Sequence, residues 1–126
     1  MDELKFAVIG NPVSHSLSPD IHLFFASQFQ LERYTYNKIK SNENDFERDI
    51  NDFFKNGGVG LNVTVPFKGL AYNLCDELDQ SAGLCKSVNT VLIDSGKLIG
   101  HSTDGQGLID DFLHKEITLE DSKILI

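Results

Sequence analysis

Residues 62–68 read Asn62-Val63-Thr64-Val65-Pro66-Phe67-Lys68. Leu61 to Val65 has the β-branched, apolar texture of a buried strand. Pro66 stops that strand, because it has no N–H to give to a ladder. The segment therefore carries Asn62, Thr64 and Lys68 to a strand end, where polar groups can converge on a ligand. A lysine set beside an apolar strand end can be partly desolvated, and desolvation moves a lysine toward acid–base range. The competing reading of Lys68 is a solvated lysine that opens the next helix.

Outward from this stretch the pattern alternates. Residues 5–9 read as a first strand, closed by Gly10-Asn11-Pro12. Ser18-Pro19 then opens a helix, with Ser18 as its N-cap and Pro19 in the first turn. Ile21, Phe24, Phe25 and Phe29 fall on one face of it and are expected in the core. Residues 34–39 form a second strand. The next helix carries Phe46, Ile50, Phe53 and Phe54 on one face and ends at Asn56-Gly57-Gly58. After the third strand, at residues 61–65, come a helix at 69–75 and a shorter one at 80–86. Residues 88–93 and 97–100 flank Asp94-Ser95-Gly96, a hairpin signal. The last helix covers residues 105–115, with Leu108, Ile109, Phe112 and Leu113 apolar. The expected fold is α/β: a mostly parallel sheet with one antiparallel strand and helices on both faces. Ligands of such sheets bind beyond the carboxyl ends of the strands, which brings the loops after Ile9, Val65 and Gly100 to one rim.

Bulk properties narrow the function. The chain has 126 residues, 40% hydrophobic and 24% charged, an ordinary globular balance. No run approaches the roughly 18 apolar residues that span a membrane, and Met1 to Lys5 lacks a signal-peptide start. A cytoplasmic location is the default. A net charge of −8, with Arg33 and Arg48 the only arginines, argues against nucleic acid. Cys75 and Cys85 have neither metal nor redox spacing and are expected as free, partly buried thiols. His15, His22, His101 and His114 have no metal-ligand spacing, so no metal is expected. His15 stands between serines, yet the chain lacks a nucleophile elbow.

Three polar sets lie at the expected rim. Ser14, Ser16 and Ser18 surround a helix start, where hydroxyls, free N–H groups and the helix dipole can hold an anion without arginine; alone, Ser18 reads as a helix cap. Asp104 either caps a helix or pairs with Lys68, so that an ammonium and a carboxylate share a substrate hydroxyl and move its proton. Asn89 either binds a ligand hydroxyl or closes a turn. Gly105-Gln106-Gly107 is a fragment of a dinucleotide fingerprint; no suitable strand is expected before it, and Asp110 stands at the third glycine position, so it is rejected as a cofactor loop.

Taken in order, Gly10-Asn-Pro12 with Ser14-His-Ser-Leu-Ser-Pro19, Asn62 to Lys68, Ser87-Val-Asn-Thr90 and Ser102-Thr-Asp-Gly105 resemble shikimate dehydrogenase. The resemblance covers essentially the whole chain as the family's substrate-binding domain. It implies NADP-linked interconversion of shikimate and 3-dehydroshikimate in aromatic amino-acid biosynthesis. By motif position, Ser16 and Ser18 hold the substrate carboxylate. Asn62, Thr64, Asn89 and Asp104 bind ring hydroxyls, Thr103 assists, and Lys68 is the acid–base residue with Asp104 beside it. Ser102 departs from the family, which usually carries Asn there. The expected division is residues 1–121 as the substrate-binding domain and 122–126 as the first strand of an absent NADP-binding Rossmann domain. NADP then belongs to that domain, and Ile124-Leu125-Ile126 is left exposed, favouring self-association as a homodimer. Two alternatives are a quinate/shikimate dehydrogenase paralogue and a non-catalytic module that binds a hydroxylated acid.

Overall fold

A computed structural model describes residues 3–125. The elements run β1 (Leu4–Gly10), α1 (Ser18–Gln28), β2 (Tyr34–Lys40), α2 (Phe46–Lys55), β3 (Gly58–Val63), α3 (Lys68–Leu74), β4 (Glu77–Leu78), α4 (Gln80–Cys85), β5 (Thr90–Asp94), β6 (Lys97–His101) and α5 (Asp104–His114). The strands form one sheet in the order β2-β1-β3-β5-β6-β4. Only β5 runs against the others, pairing antiparallel with both β3 and β6. The short β4, which joins β6 in parallel, has no counterpart in the sequence reading; two residues are too few to show a period.

Alternation along the central strands makes two cores. Ala7, Ile9, Leu61 and Val63 point to one face, where Phe46, Ile50 and Phe54 of α2 and Ala71 of α3 cover them. Val8 and Tyr36 point to the other, with Val13, Phe6 and Tyr34. The chain steps from β1 outward to β2 and then back across β1 to β3, so helices α1 and α2 cross on opposite faces. That reversal beside β1 is where an open sheet of this kind leaves a crevice at its carboxyl rim.

The rim is laced by backbone bonds. Thr64 N–H donates to the Ile9 carbonyl at 3.0 Å and Asn11 N–H to Val65 at 3.0 Å. Strand β3 ends at Val63, two residues sooner than its β-branched texture implies; Thr64 still bonds Ile9 of β1, and Val65 bonds Asn11 of the loop after it. Phe67 is fully buried and packs on Phe46 with ring centroids 5.0 Å apart, which anchors Lys68 at the start of α3. The hairpin turns on Ser95 (φ 50°) and Gly96 (φ 78°), the two positive-φ residues of a type I′ connection.

Some expectations fail. Ile21, Phe24, Phe25 and Phe29 are exposed, and only Ala26 of α1 is buried. The helix is apolar on nearly every side, so spacing alone cannot pick the face that meets the sheet. Leu108, Ile109 and Leu113 of α5 are exposed as well. Ser18 is the first helical residue and not the N-cap; its N–H donates to Ser16 Oγ at 3.2 Å. Cys75 is half-buried, but Cys85 is exposed. Residues 122–125 pair with no strand of this sheet, Ile124 and Leu125 are exposed, and Ile126 lies outside the described residues.

Gly10 is required by close approach. A Cβ there would lie 2.3 Å from Thr64 Cγ2 and 3.2 Å from the Val65 carbonyl oxygen. Gly10→Ala is expected to destabilise the fold by about 1–3 kcal/mol through overpacking, measured as a lower urea midpoint with unchanged slope.

Candidate active site

The rim assembles one continuous polar network. Lys68 opens α3 and Asp104 opens α5, and Lys68 Nζ donates to Asp104 Oδ2 at 2.6 Å. Both side chains keep solvent access, at 31% and 55% exposed, so a ligand can reach the pair. Asn89 Nδ2 donates to Asp104 Oδ1 at 3.0 Å and to Thr103 Oγ1 at 2.8 Å. Its Oδ1 accepts from Thr103 N–H at 3.2 Å and from Thr90 Oγ1 at 3.0 Å. Asn62 Nδ2 donates in turn to Thr90 Oγ1 at 3.2 Å and to the Asn89 carbonyl at 3.4 Å.

The main chain fixes these positions. Asn89 is clamped between strands: its N–H donates to His101 and its carbonyl accepts from Val63 N–H at 2.8 Å. Val88 N–H donates to the Lys68 carbonyl at 3.1 Å, tying the lysine to the same loop. β5, running against its neighbours, begins at the rim where β3 and β6 end. Asn89 thereby stands beside residues remote from it in sequence.

The network continues past the residues singled out from sequence. Asn62 Oδ1 accepts from the Tyr36 hydroxyl at 2.7 Å. Ser16 Oγ accepts from Ser18 N–H. Burial pushes the Tyr36 hydroxyl far above its usual range, only partly offset by the Ser18 hydroxyl, so it stays a neutral donor. Tyr36 and Thr90 were missed because they look like strand residues; the available signal was that Tyr36 shares the face of Val8 and Asn62 across β1. Thr64 is the expected site residue least involved: its methyl packs at Gly10, and its hydroxyl makes none of the bonds that join the network.

Three comparisons place the chain in a family. Residues 8–91 match the family model described as the shikimate dehydrogenase substrate binding domain. The chain belongs to that family. The NADP(+) shikimate dehydrogenase of Acinetobacter baylyi is 43% identical over 122 residues, 97% of this chain and 46% of the relative. That of Ruthia magnifica is 46% identical over 123 residues, with the same coverage. The chain thus spans about half the length of the curated relatives it matches. Among solved structures, the shikimate 5-dehydrogenase of Thermus thermophilus in complex with shikimate superposes with a TM-score of 0.86 at 32% identity, covering 94% of this chain and 45% of that one. The Listeria monocytogenes enzyme, in complex with shikimate and NAD, gives 0.86 at 29%, covering 93% and 40%.

Against this substrate-domain frame, the glycines of Gly105-Gln106-Gly107 do not fit a dinucleotide. The expected hairpin strand, β6, ends shortly before them, but both glycines lie inside α5 and a Cβ on either would meet nothing within 4 Å. A pyrophosphate cradle needs the glycines in the turn ahead of the helix, where the backbone makes a close approach. Among the described residues no group of His, Cys, Asp or Glu could hold a metal ion. No helix among them is long and apolar enough to cross a membrane. Cys75 is an unreactive thiol, pushed up to about 11 by burial, with the nearby Asp76 charge adding.

His22 stacks on Tyr36 with centroids 4.5 Å apart and planes at 18°, and burial pushes its imidazole below the usual 6.5. The unfolded chain takes up this proton near pH 6.5 and the folded chain only at lower pH, so stability is unaffected above 6.5 and falls as pH drops through it. His22→Phe, which keeps the stack, is expected to flatten that part of the stability–pH curve, measured by urea unfolding between neutral and mildly acidic pH.

Proposed function

We propose that this chain is the substrate-binding part of an NADP-dependent shikimate dehydrogenase, which interconverts 3-dehydroshikimate and shikimate in aromatic amino-acid biosynthesis in the cytoplasm. The observation that carries the reading is the Lys68–Asp104 pair at 2.6 Å, continuous with the amide groups of Asn89 and Asn62. Names of the curated relatives favour NADP as cofactor. The described residues offer it no phosphate loop, so the steps assigned to this chain are binding and proton transfer alone.

A secondary alcohol that becomes a ketone gives up the proton on its oxygen and the hydride on its carbon. The hydride belongs to the nicotinamide cofactor. The proton falls to Lys68 and Asp104, which accept it from the substrate hydroxyl and return it in reduction. Asn62, Asn89 and Thr103 orient the ring hydroxyls. Ser16 and Ser18, at the start of α1, receive the carboxylate with neutral donors and the positive end of a helix.

An ion pair this exposed contributes little to stability, so its loss can be read as chemistry. In the protein carrying its cofactor-binding part, Lys68→Ala is expected to lower kcat by about 100-fold or more while shikimate still binds. Near-normal turnover would remove Lys68 from the mechanism. Shikimate is expected to be turned over with a higher kcat/KM than quinate; the reverse order in a steady-state assay would identify a quinate-directed paralogue.

A further inference from the structure

Tyr36 reaches the site from the outer strand of the sheet, with its hydroxyl on Asn62 Oδ1. It lies on β2 and Asn62 on β3, with β1 between them. Two strand spacings amount to about 10 Å, a gap that a short polar side chain on β2 cannot cross. The tyrosine ring is 7% exposed, packed among Val8 and Val13 and stacked on His22, so its hydroxyl is delivered to a fixed point.

The partners on its two sides dictate how Asn62 is oriented. The Asn89 carbonyl can only accept, so the amide nitrogen of Asn62 must face it, and Oδ1 must face Tyr36. Both protons on Nδ2 are then committed, one to the Asn89 carbonyl and one to Thr90 Oγ1. Oδ1 uses one lone pair for the 2.7 Å bond from Tyr36 and keeps the other.

We propose that Tyr36 is a positioning residue that locks the Asn62 amide, so that Asn62 presents a ligand with one acceptor and no donor. The ligand group recognised there is a hydroxyl that donates its proton. The ligand half of this inference rests on the shikimate reading; the lock itself does not.

Tyr36→Phe removes the hydroxyl and keeps the stack on His22. By titration calorimetry the variant is expected to bind shikimate about tenfold more weakly, the scale of one hydrogen bond, with a lowered thermal midpoint but the protein still folded at the assay temperature. In an Asn62→Ala background the same change should cost almost nothing, since the two residues act as one unit. The Asn62 side-chain amide resonances in a 15N spectrum read the lock without ligand, and Tyr36→Phe should shift or broaden them. An unchanged affinity, additive losses or an unmoved Asn62 amide would each overturn the assignment. If the Phe variant folds poorly, 3-fluorotyrosine at position 36 keeps the ring in place with a stronger donor and must still move that resonance. Failure of the wild-type protein to bind shikimate would sink the proposed function and the ligand half of this inference, while a shifted Asn62 amide would still support the lock.

Discussion

Everything at the rim depends on the parallel pairing of β1 with β3. That register sets Ala7 beside Leu61 and Ile9 beside Val63, all buried on one face. A slip of one residue would carry Asn62 into this apolar face, where its amide would find no partner. Burial of the aliphatic residues therefore fixes which way Asn62 points. The same pairing ends β1 at Gly10 against Thr64, leaving both following loops at one edge.

Local stops then convert the strand ends into a site. Pro66 closes the extended run and Phe67 drops into the core against Phe46. Lys68 is held by the residue before it, and its ammonium is free to meet a group from elsewhere. That group is the Asp104 carboxylate, from a helix 36 residues further on. A chain of net charge −8 could only hold an anionic ligand where cations or aligned donors offset its own field. The start of α1 provides such donors, and the paired lysine leaves no uncompensated acid in the cleft.

Legibility in the sequence followed the strength of the local signal. The α2 stripe of Phe46, Ile50 and Phe54 was clear, because charged residues separate its apolar positions and only one face can be buried. The α1 stripe misled, because Ile21, Leu23, Phe24 and Phe25 surround the helix and no polar face contradicts any choice. The Ser95-Gly96 turn was legible from its residue types alone. Of the site, Lys68, Asp104, Asn62 and Asn89 stood out as polar groups set beside strand ends. Ser18 was read as a cap; its N–H in fact rests on Ser16.

The sequence by itself determined the order of strands and helices, the breaks between them and the polar residues delivered to the rim, since periodicity, proline and glycine act over a few residues. The tertiary structure alone decided the partners. The reach of Tyr36 across β1 to Asn62, and of Asn89, just ahead of β5, to Asp104, joins residues 26 and 15 positions apart. Such contacts are set by sheet order and register, which no local pattern encodes.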